Sequence, residues 1–170
     1  MDRLHILPTA DTFRAVSYVF EADIALEYSS PFQIWFLSGG HQGIQIGMFC
    51  SGGKVMAYHG RHSERIDLGV AMGEWFKLGV EYYILEGKNI AKIFVNGSLV
   101  YTVEYHLGSD GKMNADVYID GELYTTDIVE DGEEIINNVT KVDLRVPSTS
   151  AGVAYIDDVR LVGSLQEYAE

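Results

Sequence analysis

The sequence predicts an all-β protein, a two-sheet antiparallel β-sandwich of jelly-roll type. Three observations lead there. About a dozen short runs alternate apolar and polar residues with period two. They recur at roughly the eight- to twelve-residue spacing of sandwich strands. Glycine-rich turns join them, and no segment shows a convincing helical period. At 170 residues, with no internal repeat or interdomain linker, the chain reads as one domain over 1–170.

The elements follow in order. "RLHIL" (3–7) is a strand that starts almost at Met1, as in a domain excised from a longer protein. "YVFEADIALE" (18–27) places Tyr18, Phe20, Ala22, Ile24 and Leu26 on one face, and Glu21, Asp23 and Glu27 on the other. "FQIWFL" (32–37) and "GIQIGMFC" (43–50) come next, and Ser51-Gly52-Gly53 turns into "KVMAYH" (54–59). After the polar "GRHSE" comes the short "RIDLG", then "EWFKLGVEYYIL" (74–85), whose even positions from Phe76 to Ile84 should be core. Glu86-Gly87-Lys88-Asn89 turns into "IAKIFV" (90–95). Asn96-Gly97 then opens "SLVYTVEY", and Asp120-Gly121 joins "ADVYI" to "ELYTT". Such pairs favour the type I′ hairpin, which needs positive φ at both central residues. "VTKVDLRV" (139–146) and "VAYIDDVRLV" (153–162) complete the set.

A lone first strand, near Leu4–Leu7, would be an unpaired edge, which proteins avoid, so it is expected beside the last, Val153–Val162, in one sheet. Val153, Tyr155, Asp157, Val159 and Leu161 would then face the core, and Asp157 would need a buried partner or a calcium ion.

A net charge of -13 argues against nucleic acid and against an anionic membrane surface. It suits neutral sugars, cations or basic proteins. No run approaches the ~18 apolar residues of a membrane helix, and the first residues lack the apolar core of a signal peptide. The single cysteine, Cys50, rules out an internal disulfide framework and reads as a small core residue. There is no G-x-S-x-G elbow, P-loop or G-x-G-x-x-G after a strand.

"YVFEADIAL", "EWFKLGVEYYILEGKNIAKIFVNGSLVY" and "AGVAYIDDVRLVG", in that order, resemble the concanavalin A-like lectin/glucanase superfamily, which includes laminin G-like modules. The middle segment is the most telling: a tryptophan opens a strand, a hairpin follows, and "VNG" closes the next strand. The resemblance implies the sandwich and a carbohydrate-related role. Laminarinase-type members carry E-x-D-x-E or E-x-D-x-x-E, whose outer carboxylates are nucleophile and acid/base. Glu21 and Asp23 match the first positions, but Ala25 and Leu26 stand where the second acid belongs. Glu27 lies six residues from Glu21, ~20 Å along a strand, whereas retaining chemistry needs carboxyls about 5–5.5 Å apart.

Candidate ligand-binding residues are therefore Glu21, Asp23, His41, Tyr58, His59, Arg61 and His62. The histidines, with "GGHQG" and "YHGRH", can be read as planar sugar-binding groups, as a zinc set, or as exposed loop residues with Arg61 paired to Glu64. No catalytic residue or cofactor is assigned. One structural calcium could draw oxygen from Asp157 or Asp158, or from Asp110, Asn114 and Asp116. Trp35 and Trp75 read as core or rim. The expected function is a non-catalytic carbohydrate-binding or adhesion module for a glycan or surface polysaccharide, working extracellularly, on a cell surface or on a virion. The alternatives are a self-assembling phage-virion or surface-layer component and, ranked last, a glycoside hydrolase.

Overall fold

The computed structural model describes residues 2–6, 17–27, 32–59, 64–129, 134–146 and 153–164. These form thirteen strands and no helix. They are β1 (Asp2–Ile6), β2 (Ser17–Glu27), β3 (Phe32–Ser38), β4 (His41–Ser51), β5 (Lys54–Tyr58) and β6 (Ile66–Ala71). Next come β7 (Phe76–Leu85), β8 (Lys88–Val95), β9 (Ser98–Leu107) and β10 (Met113–Ile119). β11 (Glu122–Ile128), β12 (Lys141–Val146) and β13 (Val153–Ser164) complete the order. A six-stranded sheet runs β1-β12-β3-β4-β5-β6, and a seven-stranded sheet runs β11-β10-β9-β8-β7-β2-β13. Every ladder is antiparallel. The expected two-sheet antiparallel sandwich is the fold observed.

The turn chemistry accounts for the hairpins. Glu86-Gly87, Asn96-Gly97 and Asp120-Gly121 all hold positive φ at both positions, between 47° and 85°. Those values are the left-handed conformations a type I′ turn requires.

The core is aromatic. Phe20 and Phe36 meet edge to face across the sheets at 6.4 Å, and Phe36 stacks on Tyr82 at 4.9 Å. Phe76, Leu78, Val80 and Tyr82 are buried as their alternation requires, and Ile84 packs at the margin. Cys50 is buried, with its thiol near the Leu26 carbonyl at 3.5 Å, and burial raises the thiol pKa.

Two expectations about closure are corrected. β1 pairs with β12 (Leu4 opposite Leu144), while β13 pairs with β2 in the other sheet. β13 forms the edge of its sheet, paired along its whole length with β2 on one side, and β1 instead covers the outer side of β12, which would otherwise be the edge of the six-stranded sheet. Leu7 lies outside the described residues. The face of β13 is also not the expected one: Ala154, Ile156 and Leu161 pack on the core, and Val153, Tyr155, Asp157 and Val159 are exposed. A β-bulge between Asp157 and Arg160, with Asp158 at φ 49°, reverses the alternation partway along the strand. Asp157 consequently needs no buried partner.

Polar side chains inside the sandwich hold its loops. Asn89, fully buried, donates to the Ile136 carbonyl at 2.8 Å and accepts from the Ile136 N–H at 2.9 Å. The Tyr18 hydroxyl accepts from the Val139 N–H at 2.9 Å. Together they pin the segment that leads into β12. Asn89→Ala strands both backbone groups of Ile136 and should cost about 2–3 kcal/mol in chemical denaturation.

His59 is 1% exposed, edge-on to the Tyr101 and Tyr105 rings, with Nε2 at 2.9 Å from the Tyr101 hydroxyl. Burial lowers its pKa from 6.5 to about 4, against the opposing effect of its bond to the Gln45 backbone. Between those values the unfolded chain binds more protons than the folded one. Stability should therefore be full above pH 6.5 and fall, by up to about 3 kcal/mol, as pH drops toward 4. His59→Gln, which does not titrate there, should flatten that part of a stability–pH profile. An unchanged slope would contradict a neutral buried imidazole.

Candidate functional site

The candidate site lies on the outward face of the seven-stranded sheet, where β7, β2 and β13 run side by side. β2 carries Val19, Glu21 and Asp23 outward because Tyr18, Phe20, Ala22 and Ile24 fill the core. Its ladders set what lies beside them. Glu21 sits opposite Gly79 of β7 and Arg160 of β13, and the Arg160 guanidinium approaches its carboxylate at 3.8 Å. Asp23 sits between Lys77 and Asp157. Further out, Gly79 faces Phe94 of β8. A Cβ at Gly79 would lie 3.3 Å from the Phe94 Cβ, so the glycine leaves room beside the ring. The result is a depression of about 250 Å³ lined by Val19, Glu21, Lys77, Gly79, Glu81 and Phe94 among others.

One end of this strip carries two aromatic rings. Trp75 and Tyr155 are 53% and 44% exposed, with centroids 6.3 Å apart and planes inclined by 46°. Between them in the sheet lies Ala25, opposite Tyr155 and one position beyond the Ile24–Phe76 pair. Ala25 is 2% exposed yet outside the core cluster, as a small residue beneath such rings would be. The approach to Trp75 is fixed by backbone bonds: Gly73 N–H to the Leu26 carbonyl at 2.8 Å, Glu74 N–H to that of Ala71 at 3.1 Å. The Glu74 carboxylate also accepts from the Ala71 N–H at 3.1 Å.

The residues proposed from sequence do not gather in one place. Glu21 and Asp23 lie in this strip. Tyr58 lies on the outward face of the other sheet, over Gly47, with the Arg65 guanidinium 4.8 Å above its ring. His59 is corrected from ligand contact to core residue, since no ligand reaches a side chain buried between the sheets. His41 is exposed at the β3–β4 turn and binds Glu134. Arg61 and His62 lie outside the described residues, and His41 and His59 form no zinc set. Of the calcium candidates, Asp110 accepts from the Lys112 N–H at 3.0 Å, and Asp157 from the Asp158 N–H at 2.9 Å. Asp116 binds His106 and Thr126 instead.

Sequence reasoning missed Lys77 and Arg160 as neighbours of the β2 carboxylates, and the Trp75–Tyr155 pair at the end of the strip. Lys77 carries a usable signal, since it is an outward residue of a strand whose alternation is plain. Arg160 and Tyr155 carry none, because their side of β13 depends on the bulge.

The strip offers half-buried carboxylate acceptors, two exposed cationic donors and an exposed aromatic surface. Groups of these kinds can hydrogen-bond hydroxyls and stack on apolar ring faces. The positions that would hold a second catalytic acid, Ala25 and Leu26, are both buried.

No protein-family model matches this sequence, and no curated protein does. Two solved structures are similar in backbone path. One is described as a "Sialidase" (TM-score 0.48, 10% identity), where the match covers 95% of this chain and 14% of that one. The other is a tetrameric galectin from Cinachyrella sp., the ball sponge (TM-score 0.32, 10% identity), covering 94% of this chain and 99% of that one. Overlaps this loose transfer neither ligand nor site, and the sandwich itself stands on the strand ladders.

The bulge that aims Arg160 at Glu21 can be tested. Asp158→Gly should be tolerated, whereas Asp158→Val, β-branched in a left-handed conformation, should cost about 1–2 kcal/mol in thermal or urea denaturation. Equal stability of the two variants would argue against the bulge.

Proposed function

We propose that the protein is a non-catalytic glycan-binding module that takes its ligand along β2, on the outward face of the seven-stranded sheet. One observation carries the reading. The exposed Trp75–Tyr155 pair stands in line with Asp23 and Glu21, with Lys77 and Arg160 beside them. A sugar has an apolar ring face and a belt of hydroxyls. The rings meet the first, and the charged groups hydrogen-bond the second. From Ala25 to Glu21 the strip runs ~14 Å along the strand, which suits a short oligosaccharide rather than one sugar. The overall charge of -13 favours neutral glycans over acidic ones. Such a role implies an extracellular, cell-surface or virion setting.

A second reading, assembly with further copies, draws support from the edge strand β11, where Leu123 and Ile128 are exposed. An edge with apolar side chains is a template for strand pairing. Light scattering separates the two, since a monomer with sugar affinity leaves only the first.

On a broad panel of neutral oligosaccharides, calorimetry or array screening should find a ligand. Trp75→Ala and Glu21→Gln should each weaken it about tenfold, roughly 1.4 kcal/mol, without shifting the melting temperature. Silence across the panel, or variants that bind as well as the parent, would sink the assignment.

A further inference from the structure

The outward face of the same sheet holds a second cluster, near its other edge. Glu104 and His106 are two apart on β9, and Asp116 of β10 is the direct cross-strand partner of Glu104. Inward Val103, Tyr105, Ala115 and Val117 fill the core, so strand alternation sends these three outward together. One ligand atom from each lies within 4.8 Å of the others, and all three side chains are partly buried. The cluster is three strands from Glu21, ~14 Å across the sheet.

Carboxylates placed directly opposite each other repel and destabilise a ladder. Here the imidazole Nε2 of His106 reaches Asp116 at 2.7 Å, and the Lys88 ammonium reaches Glu104 at 2.8 Å. We propose that Glu104, His106 and Asp116 bind a first-row divalent transition-metal ion, of the zinc class.

The chemistry of the donors supports that class. Two carboxylate oxygens and one imidazole nitrogen suit a borderline ion, whereas calcium and magnesium take oxygen alone. The groups behind the donors also fit. The Thr126 hydroxyl donates to the far oxygen of Asp116 at 2.7 Å and holds that carboxylate in place. The Nδ1 of His106 lies 3.4 Å from the Leu107 carbonyl. As the side chains stand, Nε2–H donates to the Asp116 carboxylate; a bound ion would take that proton's place and leave the ring proton on Nδ1, beside that carbonyl. Tetrahedral zinc, with bonds near 2.0–2.2 Å, sets its donors ~3.3 Å apart. His106 and Asp116 would open slightly, and Glu104 would leave Lys88 and swing inward. Water would take the fourth position. Lys88 is then a built-in competitor for one ligand.

The test uses the full chain stripped with chelator and titrated calorimetrically with zinc and, separately, with calcium. Zinc should bind one per chain and calcium should not compete. His106→Ala and, as a closer isostere, His106→Gln should weaken zinc at least tenfold. Lys88→Met should tighten it, and His41→Ala, at the exposed His41–Glu134 pair, should change nothing. In the unmutated protein, the His106 imidazole nitrogen resonances should shift on adding zinc, which keeps the test valid should a variant fold poorly. Zinc heats absent from the parent chain, binding that survives both His106 variants, or unmoved His106 resonances would overturn the proposal.

Discussion

The hydrogen-bonded ladder that holds β2 between β7 and β13 decides most of what this molecule presents to solvent. With Phe20 opposite both Val80 and Leu161, the apolar side of β2 closes on the core. A slip of one residue would turn all of it to water, so the register is strongly specified. Once it is set, Glu21 and Asp23 have no freedom in which neighbours they meet. The only adjustable part is β13. Its bulge admits one extra residue after Asp157, which lets Ile156 and Leu161 both face inward although their spacing is odd. Without it, either the apolar end of β13 or Arg160 would face the wrong way.

The core beneath tolerates polar groups because each is given work between the sheets. His59 and Tyr101 bond to each other, and Asn89 and Tyr18 bond to backbone of the segment before β12. That segment also donates from Glu134 to the Gln42 carbonyl at 2.7 Å and from Thr140 to that of Leu37 at 2.8 Å. Side chains from the seven-stranded sheet thus hold a loop against the six-stranded one. Apolar packing alone would bring the sheets together. These bonds add direction, since a buried amide left unpaired costs more than a paired one contributes.

Local features were legible in the sequence, and partner choice was not. The hairpins at Asn96-Gly97 and Asp120-Gly121 follow from two residues each, because φ is a local property. The buried face of β7 follows from alternation. The partner of β1 does not, since either edge, β12 or β13, satisfies an unpaired strand equally well in the sequence pattern. The face of β13 was misjudged because a bulge has no side-chain period. His59 looked like a loop histidine because it ends a strand beside "GRH", and its burial depends on tyrosines 42 and 46 residues away in β9. Glu21 and Asp23 could be nominated from alternation alone, but the rings and cations that complete their strip arrive from two other strands.

The two outward faces bear comparison, because both carry aromatic rings. On the six-stranded sheet the rings are already engaged. The Arg145 guanidinium lies 3.8 Å over Trp35 and bonds Asp143 at 2.9 Å, and Trp35 donates to Gln33 at 3.1 Å. Gln33 in turn reaches the Tyr58 hydroxyl at 3.4 Å, and Arg65 covers both Tyr58 and Phe49. A ligand there would have to displace cations from ring faces before gaining any contact of its own. On the seven-stranded sheet, Trp75 and Tyr155 are tilted against each other and remain largely open, so a sugar ring would add contacts there without first breaking any. That difference in what must be given up, more than the presence of aromatic side chains, favours the β2 side of the sandwich for the proposed ligand.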